Sequence, residues 1–247
     1  MILTTAIIKG GAGKSTTAAA IAQAAAMEGK KVLCVDMEPQ ANLSFFLKAD
    51  STKPGTYELL KRKETLTDLI QATPQKIDIV TGSAELATIS TRQGSGDKLR
   101  EALTPIKRYY DLIIIDTAPA LNDLVYNALL ASDYLIIPLF QAMTHIKGAL
   151  QIHDIAEALR AEAGHGAKVA GAVINDLTTR SNIDKKMFEL TKLYLQRDNV
   201  PYLGAVRHSC ALEEAQALQK NLFEHAPKSY PATDYKKIYD KIMQICK

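Results

Sequence analysis

The sequence predicts an α/β fold in which a doubly wound, mostly parallel β-sheet is flanked by helices. Three observations support this prediction. Apolar runs alternate with helical patterns along nearly the whole chain, as in sheets whose strands are joined by helical crossovers. The apolar runs are uninterrupted, which is typical of strands covered on both faces. A glycine-rich segment separates the first apolar run from the first helix, which is the context that a phosphate-binding loop requires.

In the first half of the chain, residues 2–8 form an apolar run that predicts a buried strand. Residues 15–28 are dense in alanine, a strong helix former whose small side chain lets a helix pack closely on a sheet. The run KVLCVD at residues 31–36 predicts a second strand, and residues 77–81 predict a short third strand. The polar, turn-rich residues 48–55 are expected at the surface.

In the second half, apolar runs predict strands at residues 112–116, 134–139, 169–175 and 202–206. Helical patterns that precede, separate and follow these strands predict helices at residues 98–109, 122–131, 146–162, 182–197 and 233–246. A second turn-rich stretch, at residues 90–97, is also expected at the surface.

Length and composition are those of one globular domain. The chain has 247 residues, of which 47% are hydrophobic and 23% charged, and this excludes a disordered or fibrous protein. No apolar run approaches the ~18 residues that cross a bilayer, and the first residues lack the basic segment of a secretory signal. Three cysteines without CxxC spacing indicate neither a disulfide framework nor a zinc site. We expect a single cytoplasmic domain over residues 1–247, without an N-terminal helix-turn-helix because the chain begins directly at its first strand.

The glycine-rich segment reads KGGAGKST, at positions Lys9, Gly10, Gly11, Ala12, Gly13, Lys14, Ser15 and Thr16. Glycines let backbone N–H groups converge on phosphate oxygens, and the dipole of the following helix adds to the attraction. In such a loop Lys14 would reach the β- and γ-phosphates of a nucleotide, and the Ser15 hydroxyl would bind Mg²⁺. The alternative is a tight turn that binds no ligand.

The loop departs from the strict GxxxxGK[ST] pattern, which would need glycine where Ile8 stands. A second lysine, Lys9, opens the loop instead. The first residues of such a loop point away from the γ-phosphate that Lys14 would hold. Lys9 is therefore either a solvated surface lysine or a charge offered to a nucleotide on a second subunit.

Acidic residues follow two of the predicted strands. Asp116 ends the apolar run LIIID, and at the carboxyl end of a central strand beside a phosphate loop it would hold Mg²⁺ through water. Residue 117 is threonine, so the glutamate that follows this aspartate in many ATPases is missing. Another group must then position the attacking water, and Asp36 and Glu38, after the second strand, are the candidates.

Four collinear segments resemble the ParA/MinD group of dimerising phosphate-loop ATPases, whose deviant Walker A signature is KGGxGK[ST]. The segments are KGGAGKSTTAAAIA, GKKVLCVDMEPQANLS, YDLIIIDTAPALNDLVYNALLASDYLIIPL and VRHSCALEEAQALQKNLFEHAPKSYPATDYKKI. The last of them resembles the closing segment of ParA-type partition ATPases. The resemblance covers nearly the whole chain, and it implies ATP and Mg²⁺ as ligands and a homodimer that sandwiches two ATP molecules.

The resemblance also implies roles for individual residues. Lys9 would cross the dimer interface to the partner's nucleotide and act in catalysis with Lys14. Asp36 would lie near the metal and bind it through water, and Glu38 would orient the hydrolytic water. ParA-like proteins usually have aspartate at the position of Glu38, so we expect slow hydrolysis; a solvated loop acid is the alternative. Asn175, after a later strand, is expected to contact adenine, and a helix-capping role is the alternative.

Positive charge is concentrated in the last quarter of the chain. Residues 180–247 contain 12 Lys and Arg against 8 Asp and Glu, whereas the remainder contains 18 against 19. Such a surface either binds DNA phosphates without reading sequence or is an ordinary solvated face. The candidate DNA contacts are Arg180, Lys185, Lys186, Arg207, Lys220 and Lys228.

The resemblance implies an ATP-dependent DNA-partition ATPase associated with the nucleoid. ATP would drive dimerisation, the dimer would bind DNA non-specifically, and a centromere-binding ParB-like protein would stimulate hydrolysis and reset the cycle. The first alternative is a MinD-like membrane-associated regulator that uses the apolar face of the last helix as an anchor; we expect that helix to dock on the sheet, without stable membrane association. Two further alternatives are an ATP-dependent carboxylate-activating synthetase and an ATP-binding switch with negligible turnover.

Overall fold

Eight β-strands form one sheet in the computed structural model, which describes residues 1–89 and 97–246. The strands are β1 Ile2–Thr5, β2 Val32–Met37, β3 Gln71–Ala72, β4 Asp78–Val80, β5 Leu112–Thr117, β6 Tyr134–Leu139, β7 Lys168–Leu177 and β8 Tyr202–Arg207. Their order across the sheet is β3-β4-β2-β5-β1-β6-β7-β8. Neighbouring strands run parallel, except that β3 and β4 are antiparallel. The predicted doubly wound, mostly parallel sheet is confirmed.

The seven predicted strands are all present, with two differences. The first strand ends at Thr5 rather than at residue 8, because the chain leaves the ladder there to build the loop that precedes the first helix. The two-residue strand β3 is an additional edge strand that the sequence does not predict.

Helices fill the connections between the strands. They are α1 Lys14–Met27, α2 Asn42–Phe46, α3 Thr56–Leu60, α4 Leu66–Leu69, α5 Lys98–Leu103, α6 Asp123–Ala131, α7 Met143–Ala163, α8 Asn182–Arg197, α9 Cys210–Ala217, α10 Leu222–His225 and α11 Tyr230–Ile245. The helix predicted at residues 98–109 is divided: α5 ends at Leu103 and a 3₁₀ turn follows at Lys107–Tyr109. Pro105 lies between them, and proline lacks the N–H that a continuing helix needs.

The two turn-rich stretches have different outcomes. Residues 48–55 connect α2 to α3 and are mostly exposed, as predicted. Residues 90–96 of the second stretch lie outside the described residues.

Helices cover both faces of the sheet. On one face α1 and α11 pack over buried side chains that include Leu3, Ile114 and Val173. On the other face α5, α6 and α7 pack over a set that includes Ile113 and Ile137. Strands covered on both faces bury nearly every side chain, which explains the uninterrupted apolar runs in the sequence.

The last helix, α11, docks on the sheet by its apolar face. Tyr235, Ile238, Tyr239 and Ile242 are each at most 2% exposed and pack with α1 and β8, whereas Ile245 is exposed. The face that a membrane anchor would use is therefore buried inside the protein. None of the helices in the described residues is long and apolar enough to cross a bilayer.

Candidate nucleotide-binding site

The loop after β1 is shaped by two glycines with left-handed backbone conformations. Gly11 has φ 74° and Gly13 has φ 79°, and Gly13 is the N-cap residue of α1. The N–H of Thr17 donates to the carbonyl oxygen of Gly13 at 2.8 Å, which starts the ladder of the helix. The loop therefore lies at the positive end of a 14-residue helix, where free backbone N–H groups attract anions.

Asn175, near the end of β7, holds this loop in place through hydrogen bonds. Its Nδ2 donates to the carbonyl oxygen of Ala12 and to Oγ1 of Thr17, both at 3.0 Å, and its Oδ1 accepts the hydroxyl of Tyr235 at 2.9 Å. A Cβ at Gly13 would lie 2.5 Å from the same Nδ2. Asn175 is 4% exposed. The sequence alone does not predict this supporting role, because the hydrogen-bond partners of Asn175 are distant from it along the chain.

Lys14 and Asp116 are buried together at the carboxyl edge of the sheet. Burial lowers the pKa of Lys14, and the negative charges of Asp116 and Glu38 partly oppose that shift. Burial also raises the pKa of Asp116 well above its ordinary value, and the nearby charge of Asp36 raises it further. In both residues burial is the largest cause, so each shift reflects the cost of holding a charged group away from water.

The residues at this edge fit a magnesium ion. Oδ1 of Asp116 accepts from the Thr5 hydroxyl at 3.2 Å, whereas Oδ2 is buried without a hydrogen-bond partner in the described part of the chain. The Ser15 hydroxyl, another hard oxygen ligand, lies in the first turn of the adjacent helix α1. Within residues 1–89 and 97–246 no three acidic, histidine or cysteine side chains could enclose a metal by themselves. This arrangement suits Mg²⁺, which usually binds one or two protein oxygens together with phosphates and water.

Asp36 and Glu38 have different surroundings. Oδ1 of Asp36 accepts the N–H of Glu38 at 3.0 Å, and Oδ2 accepts both the N–H and the hydroxyl of Ser44, at 2.8 and 2.7 Å. Burial nevertheless raises the pKa of Asp36 to about 6. Asp36 thus fixes the turn after β2, and its proposed role near the metal stays a prediction.

Glu38 is buried against the loop rather than solvated. Glu38 is only 6% exposed. Its Oε2 accepts hydrogen bonds from the Ser15 hydroxyl and from Nδ2 of Asn42, both at 3.2 Å. The turn that Asp36 fixes therefore carries Glu38 to Ser15, in the first turn of α1.

Lys9 is exposed and lies along α7. Its Cγ is 3.3 Å from the position that a Cβ on Gly148 would occupy. Its ammonium group has neither a hydrogen bond nor an ion pair to any of the residues that the structure describes. Next to it His145 stacks on Phe140, and burial, followed by the charges of Lys9 and Lys14, lowers the pKa of His145.

A cleft of about 320 Å³ opens beside the loop. Its walls come from the loop, from the ends of β7 and β8 and from α9, and include Thr16, Phe140, Asn175, Arg207, Leu212 and Gln216. Gln216 donates to the Thr16 hydroxyl at 2.9 Å, which joins α9 to α1. Larger clefts, of about 490, 580 and 590 Å³, lie away from the loop. The cleft of about 320 Å³ adjoins the phosphate loop through Gly13 and Thr16.

The candidate DNA contacts fall into two groups. Arg207 donates to both carboxylate oxygens of Asp234 at 2.8 Å and lies 4.0 Å from the centre of the Tyr230 ring, so its charge is already paired. The other candidates are exposed and have no ion pair among the described residues; they are Arg180, Lys185, Lys186, Lys220 and Lys228. Lys185 and Lys186 lie in the first turn of α8, whose N-cap is Ser181.

Comparison with known proteins identifies related sequences and structures. Residues 1–166 match the family model AAA_31, described as an AAA domain. The sporulation initiation inhibitor protein Soj of Bacillus subtilis is 31% identical over 239 residues, 92% of each chain. The chromosome partitioning protein ParA of Myxococcus xanthus is 28% identical, over 96% of this chain and 85% of its own. The structure of a Cyanothece McdA variant in complex with ATP superposes with a TM-score of 0.86 at 22% identity, over 99% of this chain and 95% of its own.

Proposed function

This chain belongs to the ParA-type partition ATPases, and from that premise we propose that it is an ATP-controlled dimer that binds DNA non-specifically. The observation that carries the proposal is the contrast between the two lysines of the loop. Lys14 is 5% exposed within the site, whereas Lys9 extends along α7 at the surface. A lysine so placed is available to a nucleotide held by a second subunit. ATP is then part of the interface, and its binding stabilises the dimer by mass action.

Within one subunit, the loop N–H groups and Lys14 bind the phosphates. Ser15 and Asp116 are the residues that would hold Mg²⁺, Asp116 through water. The ion would neutralise the phosphate charge and the excess of carboxylates around Lys14. The base occupies the cleft between the loop and α9, with Asn175 at its wall. A direct contact between Asn175 and adenine remains a proposal, and it has to share the amide with Ala12 and Thr17.

Glu38 is the proposed group that orients the hydrolytic water. It supplies the carboxylate that Thr117 does not, and its hydrogen bond from Ser15 keeps it at the phosphate end of the loop. Asp36 acts on the reaction by holding the turn that carries Glu38. Glutamate is one methylene longer than aspartate, and a displacement of about 1 Å can cost a large factor in rate. We therefore propose slow hydrolysis that a ParB-like, centromere-binding partner accelerates.

Single-turnover hydrolysis tests the role of Glu38. We expect Glu38→Ala to lower the rate by roughly 10²-fold or more, as for loss of a group that positions or activates water. Glu38→Asp keeps the carboxylate and should retain part of the rate. Unchanged rates in both variants would remove Glu38 from the mechanism.

Exposed basic residues supply the proposed DNA contacts. Arg180, Lys185 and Lys186 lie close together in the sequence at the start of α8, and a dimer presents two copies of this group. Phosphate contacts of this kind do not read sequence and weaken steeply with salt. The proposed location is the cytoplasm, on the nucleoid.

A nucleotide-dependence experiment tests the proposal as a whole. Sedimentation and mobility-shift assays with long random-sequence DNA compare ATP, ADP and no nucleotide at two salt concentrations. We expect dimers and DNA binding with ATP alone, and loss of both in Lys9→Ala. Lys30→Ala, which removes the same charge beyond the far end of α1, is the matched control and should behave as wild type. Equal DNA binding in all nucleotide states, or a Lys9→Ala variant that still dimerises, would contradict the proposal; ATP-dependent pelleting with liposomes rather than DNA would favour the MinD-like alternative.

A further inference from the structure

A buried hydrogen-bonded ring joins the phosphate loop to the last helix. The Tyr235 hydroxyl is 2.9 Å from Oδ1 of Asn175 and 3.3 Å from Oγ1 of Thr17, and Nδ2 of Asn175 is 3.0 Å from the same Oγ1. All three side chains belong to residues at most 4% exposed. The ring therefore links α11, β7 and α1 without contact with bulk water.

Only one donor arrangement satisfies every group of this ring. The amide N–H of Asn175 donates to Thr17, so the Thr17 hydroxyl donates to Tyr235, and the Tyr235 hydroxyl donates to Oδ1 of Asn175. The remaining amide hydrogen of Asn175 points to the carbonyl oxygen of Ala12 in the phosphate loop. Hydrogen bonds in such a ring reinforce one another, and loss of one leaves a buried partner unsatisfied.

The same helix reaches the nucleotide site at a second point. Asp234, the residue before Tyr235, is 8% exposed and accepts two hydrogen bonds from the guanidinium of Arg207. Arg207 lines the cleft beside the phosphate loop. Consecutive residues of α11 thus support the loop that receives phosphates and the wall of the cleft assigned to the base. The position of α11 and the shape of the nucleotide site are therefore connected through these contacts.

We propose that Tyr235 is a positioning residue for nucleotide binding, which holds the phosphate loop in its binding shape through Asn175. Linkage makes the effect reciprocal: nucleotide binding stabilises the docked position of α11 to the extent that docked α11 favours nucleotide binding. This inference rests on the proposed function, because it assigns a role at the same site. It adds that α11 responds to the nucleotide.

Two tyrosines of α11 provide a matched pair of variants. Tyr239, one turn after Tyr235, is equally buried, but its hydroxyl donates to Oε2 of Glu28 at 3.0 Å, at the far end of α1. Tyr235→Phe and Tyr239→Phe each remove one hydroxyl and keep the ring. Calorimetric titration with Mg-ADP and with a non-hydrolysable ATP analogue should show roughly three- to tenfold weaker binding for Tyr235→Phe, the effect of losing one buried hydrogen bond. Tyr239→Phe should bind within twofold of wild type.

The effect of the nucleotide on amide hydrogen exchange distinguishes a positioning role of Tyr235 from a purely structural one. In the wild-type protein and in Tyr239→Phe, Mg-ADP should slow exchange along α11. In Tyr235→Phe the nucleotide should slow exchange along α11 by a smaller factor than in Tyr239→Phe at equal nucleotide saturation. Thr17→Val interrupts the ring from the other side, and a double-mutant cycle with Tyr235→Phe should show that the two affinity losses are not additive.

The outcomes separate this inference from the function on which it rests. Equal nucleotide affinity in the two tyrosine variants, or α11 exchange that the nucleotide leaves unchanged in the wild-type protein, would overturn the role of Tyr235 alone. If Tyr235→Phe does not fold, the same comparison between Thr17→Val and Tyr239→Phe decides. A folded wild-type protein that binds neither nucleotide would refute the proposed function, and this inference with it.

Discussion

The geometry of the phosphate loop can be tested at Gly13. This glycine has φ +79°, and a Cβ there would lie 2.5 Å from Nδ2 of Asn175. Gly29, shortly after α1, has a similar φ of +74°, but no described atom lies within 4 Å of the position that its Cβ would take. The two glycines share a left-handed conformation and differ in crowding, so alanine at each position separates the two effects.

We expect Gly29→Ala to lower the free energy of unfolding by about 1–2 kcal/mol, the cost of a left-handed conformation for a residue with a Cβ. Gly13→Ala has the same cost and also displaces the Asn175 side chain. The carbonyl of Ala12 and the hydroxyl of Thr17 then lose a buried partner. Each such loss costs about 1–3 kcal/mol, so we expect a total of about 3–8 kcal/mol for Gly13→Ala.

Equilibrium unfolding in urea, followed by circular dichroism, measures both losses. Nucleotide affinity should fall for Gly13→Ala and stay unchanged for Gly29→Ala. Removing the obstructing side chain provides the control: the double variant Gly13→Ala/Asn175→Ala should lose less stability than the sum of the single variants. Equal losses at the two glycines, or strict additivity in the double variant, would mean that Asn175 does not lie against the loop.

The remaining predictions concern charge. Because the folded pKa of Asp36, about 6, lies above its ordinary 3.8, the protonated form stabilises the fold, and that stabilisation is lost as pH rises from about 4 through 6. Burial raises the pKa of Asp116 as well, so urea unfolding without Mg²⁺ should show the stability of Asp116→Asn increasing relative to wild type as pH rises; a difference that does not change with pH would refute this. Arg207→Ala should lower the melting temperature and leave the salt dependence of DNA binding unchanged. The double variant of Lys185 and Lys186 to alanine should instead keep the melting temperature and reduce the slope of log affinity against log salt by about four, since the dimer loses two lysines from each subunit. Interchanged results would assign the DNA contact to Arg207.

Elements with a strong local pattern are predictable from the sequence, and elements that depend on distant neighbours are not. β5 is visible in the sequence because four consecutive apolar residues form most of it. The buried face of α11 is visible in the helical spacing of Tyr235, Ile238 and Ile242. The strand at Gln71–Ala72 exists only because it pairs with β4. The helix predicted across Pro105 is too long because the hydrophobic periodicity continues through a proline, whose missing backbone N–H ends the helix.

The site divides in the same way. The loop from Lys9 to Thr16 is contiguous, so its motif is visible in the sequence. Asn175 is 163 residues from Ala12, and only the order of the strands brings the two together. Arg207 contributes to the positive charge of the last quarter, but a count of charges does not reveal that Asp234, 27 residues later, neutralises it.

Several charged groups are buried together at one edge of the sheet, and this bears on how the site would act. Three buried carboxylates, of Asp36, Glu38 and Asp116, surround one buried lysine, and the pKa shifts of both aspartates and of Lys14 all record the cost of burial. A ligand that brings positive charge to the carboxylates and phosphate oxygens to Lys14 relieves both costs at once. Because it binds only the folded state, it stabilises the fold by the same free energy. The elements expected to gain most are those connected to the loop, and they include α11, through Tyr235 and Asn175. A site whose buried charges a ligand would neutralise is well suited to report its occupancy to the rest of the molecule.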